Sequence, residues 1–68
     1  MESRQVNVPA INCDHCARTI REELLDLEGV AWVEVDVNAK SVRIGWQPPA
    51  AWATIAAHLR EINYPVAD

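Results

Sequence analysis

The apolar positions of the chain change their spacing several times. Gln5 to Val8 alternates polar and apolar, with Val6 and Val8 on one face. That pattern predicts a short strand, stopped by Pro9. Ala10 to Asn12 reads as a loop. From Asp14 onward the spacing becomes helical: Ala17, Ile20, Leu24 and Leu27 share a stripe, and Arg18, Glu22, Glu23 and Asp26 stay off it. Gly29 is expected to close this helix, because a helix end commonly needs a residue with left-handed backbone.

A clearer alternation follows. Ala31, Val33, Val35 and Val37 are expected on one face, and Trp32, Glu34 and Asp36 on the other. Asn38-Ala39-Lys40 makes a short turn into a third strand, with Val42 and Ile44 inward and Ser41 and Arg43 outward. The short connection implies an antiparallel hairpin. Pro48-Pro49 breaks the chain and pre-sets the start of a second helix. Its buried stripe is Trp52, Ile55, Ala56, Leu59 and Ile62, and Asn63 can end it in a left-handed conformation. Of the other tryptophans, Trp46 is expected to cover the end of the core and Trp32 to lie on the open sheet face. Tyr64 to Ala67 is long enough for a final edge strand, which tolerates Pro65.

The resulting order is strand, helix, strand, strand, helix, strand. Two interlocked βαβ units of this kind give an α+β, ferredoxin-like sandwich: a four-stranded antiparallel sheet with both helices on one face. A length of 68 residues suits a single domain spanning 1–68. A domain of this size buries only about 60% of the surface its unfolded chain exposes, so its stability is modest.

Charge and cysteine content narrow the chemistry. The net charge of −4 disfavours nucleic acid as a partner. No apolar run approaches the ~20 residues of a membrane helix, so membrane insertion is not expected. The start, Met1-Glu2-Ser3-Arg4, leads straight into the first alternating segment without a signal-peptide-like stretch, which points to the cytoplasm. The two cysteines, in Cys13-Asp14-His15-Cys16, are too few and too close for a disulfide scaffold. In a reducing compartment they stay free thiols, available as a metal site or a redox pair.

Their position is informative. Cys13 falls at the end of a loop and Cys16 in the first turn of a helix, where free backbone N–H groups and the helix dipole favour thiolate. A spacing of three lets both sulfurs reach one ion. Two thiolates with little else make a soft, low-coordination site suited to Cu(I) and related thiophilic ions. Zn(II) usually takes four ligands and would find two missing.

A C-x-x-C pair between the first strand and first helix of this pattern resembles the heavy-metal-associated domain family. That family includes copper chaperones and the N-terminal metal-binding domains of metal-transporting P-type ATPases. Its loop usually reads Gly-Met-Thr-Cys-x-x-Cys, where this chain has Ala10-Ile11-Asn12-Cys13-Asp14-His15-Cys16. Gly29-Val30 with Val33 and Val35 matches the family's second strand, and Val42 its third. Tyr64 falls where bacterial copper chaperones often carry Tyr. The resemblance implies that Cys13 and Cys16 are metal ligands, with Asn12 and Tyr64 supporting them. It implies a cytoplasmic metallochaperone, monomeric or bridged into a homodimer by metal, that passes Cu(I) to a P-type ATPase or its metal-binding domain by thiolate exchange.

The departures bear on the metal. Ala10 replaces Gly and makes the loop backbone less free. Ile11 replaces Met as the apolar anchor. Asn12 replaces Thr, at a position where some zinc and lead relatives carry an acidic ligand; the amide leans the choice towards copper. Asn63 replaces a frequent Gly. Zn(II), Ag(I) and Hg(II) remain open as alternative ions, and His15 as an additional ligand, above all for Zn(II). Asp14 is most simply a residue complementing the helix dipole, and His58 a boundary residue. Three other roles stay open: a regulatory metal-binding domain of a Cu or Zn ATPase, a thiol oxidoreductase, and an interaction module using the sheet face around Trp32. An intact Met1 and an end directly after the last strand favour a free-standing carrier over the regulatory domain. A carrier breaks no bond in a substrate and is not an enzyme.

Overall fold

A computed structural model describes residues 1–67. It has three strands and two helices: β1 (Glu2–Asn7), α1 (Asp14–Leu25), β2 (Val30–Asp36), β3 (Ser41–Trp46) and α2 (Trp52–Glu61). The sheet order is β1-β3-β2, with β3 antiparallel to both neighbours. β1 and β2 are therefore parallel, separated by β3 and joined through α1, which is the split βαβ arrangement. Val6 and Val35 both face Val42, and Val33 faces Ile44. These side chains meet Ile20 and Leu24 of α1 and Ile55 and Leu59 of α2 in one core, fully or almost fully buried except for Val35, which is partly buried at its edge. Gln5, Glu34 and Arg43 remain exposed on the opposite face.

The fourth strand is not formed among the described residues. Tyr64, Val66 and their neighbours run beside β1 and pack partly on the core, tied by a bond from the Ala67 N–H to the Asn7 carbonyl at 2.9 Å. Donors explain the missing ladder. The Tyr64 N–H is committed to the Leu59 carbonyl at 2.8 Å, and Pro65 has no N–H. The sheet is thus three-stranded, not four-stranded, and Asp68 of the expected domain lies outside the described residues.

The left-handed end of α2 forms as expected. Asn63 has φ 70°, with its N–H on the Arg60 carbonyl at 3.1 Å. Together with the Tyr64–Leu59 bond this is the paired pattern of a Schellman cap. The end of α1 differs. The helix stops at Leu25, and Gly29, at φ 100°, sits in the connection to β2. A side chain there would collide with the Gln47 carbonyl and with Ala50, so glycine admits the strand-to-helix crossing that follows β3.

Three further expectations shift. A bulge between Val30 and Trp32 leaves Ala31 exposed, and Val30 takes the inward position. Val37 lies past the end of β2, half-buried. Trp46 is the core tryptophan, 5% exposed, while Trp52 is half-buried; their rings lie 5.8 Å apart, and the Arg4 guanidinium covers Trp52 at 4.8 Å. The register explains the exchange: Trp46, Ile44 and Val42 share one face of β3, so the indole points inward. α2 begins at Trp52, past Pro48-Pro49. Trp32 lies on the open face over Gly45, with Arg43 above its ring at 6.0 Å.

Candidate metal centre

The segment joining β1 to α1 is built from a buried anchor outward. Val8 and Ile11 are both fully buried, and the Ile11 N–H donates to the Val8 carbonyl at 3.1 Å, turning the chain at Pro9-Ala10. Among the described residues, Lys40 and Asn63 are the non-glycine residues with positive φ, so Ala10 sits in ordinary backbone and needs no glycine. With Ile11 plugged into the core, Asn12 and Cys13 are carried outward to the surface.

Cys13 is the N-cap of α1, with extended backbone at φ −163° and no capping hydrogen bond from its side chain. Cys16 lies one turn later and is 7% exposed, its side chain held against the core. The two sulfurs are 3.7 Å apart and not bonded. The Cys16 thiol donates to Asn12 Oδ1 at 3.4 Å. Asp14 opens the helix as an exposed acid at its positive end.

The electrostatics of this corner favour thiolate at Cys16. The Tyr64 hydroxyl, donating toward the sulfur, is the main reason the thiol is held below its ordinary value. The backbone N–H of Asn12 and groups of Cys13 act in the same direction, and desolvation opposes them. The same contact raises the Tyr64 phenol, because a hydroxyl that donates to a thiolate resists ionisation. Cys16 is therefore the shielded, stabilised sulfur, and Cys13 the exposed one.

The structure brings Asn12, Cys13, Cys16 and Tyr64 together. It does not gather His15 into a multidentate set. His15 is exposed on the first turn, and among the described residues no group of three or more His, Cys, Asp or Glu side chains could hold a metal ion. His58 is remote from the cysteines; it joins the helices through Glu23 of α1 at 3.0 Å, with Glu61 at 4.0 Å. Sequence reasoning missed Lys40, whose Nζ donates to the Ile11 carbonyl at 2.7 Å across 29 positions of chain. Its place in a turn was legible, but the nearness of that turn to the loop and the reach of the side chain were not.

Two sulfurs 3.7 Å apart fit a single thiophilic ion. With metal–sulfur bonds of about 2.3 Å, that span corresponds to a sulfur–metal–sulfur angle near ~107°. A trigonal site would need about 4.0 Å and a linear one about 4.6 Å with the same bonds. The exposed Cys13 has the freedom to supply that small opening.

Comparison with known proteins agrees with this fold and loop. The heavy-metal-associated domain model matches residues 5–65. A COP-associated protein of Helicobacter pylori is 40% identical over 59 residues, covering 87% of this chain and 89% of the relative. The copper chaperone CopZ of Staphylococcus haemolyticus is 35% identical over 46 residues, covering 68% of each. Among solved structures, a CopZ metallochaperone superposes with a TM-score of 0.91 at 19% identity, over 97% of this chain and 100% of the other. A copper-binding domain from the P-type ATPase HMA7 superposes with a TM-score of 0.90 at 18% identity, over 98% of this chain and 92% of the other. At those two identities the likeness is one of fold. The chain belongs to the heavy-metal-associated domain family. No helix among its described residues is long and apolar enough to cross a membrane.

Proposed function

We propose that this protein is a cytoplasmic metallochaperone that carries one Cu(I) between Cys13 and Cys16 and passes it on by thiolate exchange. The observation that carries the reading is the pair itself: two free sulfurs 3.7 Å apart, one shielded and one exposed, at the open end of α1. Soft thiolates select Cu(I) and similar ions. The copper chaperone relative, at 35% identity, supports copper over zinc. So does the lack of a third and fourth ligand among the described residues, which zinc would need.

The ion is cargo. Held by two sulfurs, it keeps room for a third thiolate supplied by the acceptor. Cys13, the exposed ligand, leaves first, and Cys16 holds the ion until the acceptor's second thiolate arrives. No oxidation accompanies the step and no substrate bond is cut, so the protein acts as a carrier and not an enzyme. The acceptor is a metal-transporting P-type ATPase or its metal-binding domain, a choice supported by the fold shared with such a domain. The carrier works as a monomer or as a homodimer bridged by the metal.

Titrating the reduced protein with Cu(I) against a chromogenic Cu(I) chelator tests this. One equivalent should bind tightly, and both Cys13→Ser and Cys16→Ser should lose that affinity. Equal affinity in either variant overturns the reading. The shared fold also suits a regulatory domain of a larger transporter, which the mass of the native protein decides. Rapid, metal-independent reduction of a disulfide substrate would instead favour a thiol oxidoreductase.

A further inference from the structure

We propose that Lys40 is a positioning residue for the metal loop, setting the orientation of the Ile11–Asn12 peptide that carries the Asn12 side chain to the Cys16 thiol. This rests on the reading of the cysteines as Cu(I) ligands given above. Lys40 ends the turn between β2 and β3 and grips the β1–α1 segment twice. Its backbone carbonyl accepts the Val8 N–H at 2.7 Å, and its Nζ donates to the Ile11 carbonyl at 2.7 Å. The first bond fixes where the segment leaves β1. The second fixes the last carbonyl before the exposed Asn12 and Cys13.

A planar trans peptide points its C=O and N–H in opposite directions. With the Ile11 carbonyl drawn to the ammonium, the Asn12 N–H is turned away from Lys40. The Asn12 side chain, carried on the same peptide, is held over the Cys16 sulfur and accepts its thiol at 3.4 Å. Lys40 thus acts on the sulfur through one rigid plane, without touching it. The φ of 54° at Lys40 aims both of its groups at the segment and is a conformation few side chains adopt unaided. Groups that orient metal ligands contribute strongly to metal affinity when removed.

The test compares Lys40→Met, which keeps the length but removes the donor, with Lys40→Arg, which restores a cationic donor. The first readout is the amide nitrogen and proton shift of Asn12 in the reduced, metal-free protein, and the second the rate of Cu(I) release to a chelator. Lys40→Met should move the Asn12 amide signal and release Cu(I) about tenfold faster, at the low end of such effects because the lysine is partly exposed. Lys40→Arg should recover most of both, and thermal unfolding should barely differ between the two variants. An unmoved Asn12 signal with wild-type release in Lys40→Met overturns the proposal, as does a release rate that follows only unfolding temperature. If instead Cys13→Ser and Cys16→Ser bind Cu(I) as wild type does, the carrier reading has failed, whatever the Asn12 signal shows for Lys40.

Discussion

The chain crosses from strand to helix twice, and the two crossings have the same frame with different contents. Cys13 caps α1 and Ala51 caps α2. Both have extended backbone, at φ −163° and −142°, and neither makes a side-chain capping bond. Each crossing hangs from a buried anchor, Ile11 in the first and Trp46 in the second. The second is filled with Pro48, Pro49, Ala50 and Ala51, none with a group able to bind or react, and is pinned by the Gln47 N–H on the Gly29 carbonyl at 2.8 Å. The first exposes Asn12 and a thiol. The scaffold therefore closes a strand-to-helix crossing without sulfur, and the exposed Cys13 fills no place in the core.

The anchors give the largest expected effects. Trp46→Ala should destabilise the protein by about 3–5 kcal/mol and Ile11→Ala by about 2–5 kcal/mol in urea unfolding. The pair should separate on metal: Ile11→Ala also weakens Cu(I) binding in the folded protein, and Trp46→Ala does not. Equal metal affinity in the two would remove the distinction between the crossings.

Next comes the cap of α1. Cys13→Ser should lower Cu(I) affinity by more than about a hundredfold, since losing a ligand costs more than losing a group behind it. The same change should leave stability unchanged or raise it by about 0.5–1 kcal/mol, because serine caps a helix well. Ala51→Ser should gain about 1 kcal/mol at the other crossing and leave metal affinity alone. Thermal melts beside chelator titrations check both. A stability loss in Cys13→Ser would mean that the thiol is structural.

Much of this contrast was legible in the chain before folding. The periods of 3.6 and 2 located both helices and three strands, and Cys-x-x-Cys at the switch between them marked the candidate site. Three things were not legible. The bulge at Ala31 hides inside a regular alternation, because Ala31 through Val37 reads as one unbroken strand. Tyr64 to Ala67 carries the apolar pattern of a strand, but its donors are spent on the helix cap or absent at Pro65. The Lys40 tie depends on how far one side chain reaches between segments that meet only in three dimensions.

The subtlest effect concerns Tyr64. Its hydroxyl is the main group holding the Cys16 thiol low, so Tyr64→Phe should raise the pH at which the ultraviolet thiolate band appears. The sign for stability follows. A thiol with a depressed folded value adds stability that is complete above the ordinary thiol range and is lost as pH falls through the folded value. Tyr64→Phe should therefore flatten the alkaline rise in stability of the metal-free protein. An unchanged thiolate titration would remove Tyr64 from the site.

The central claim is that a pair of sulfurs at the start of α1 holds the ion. X-ray absorption on the anaerobically reduced protein, loaded with one Cu(I) in the presence of competing Zn(II), reads the shell directly. The expected result is copper surrounded only by sulfur, two or three atoms near it. A four-coordinate zinc shell containing nitrogen would contradict it and bring His15 back as a ligand.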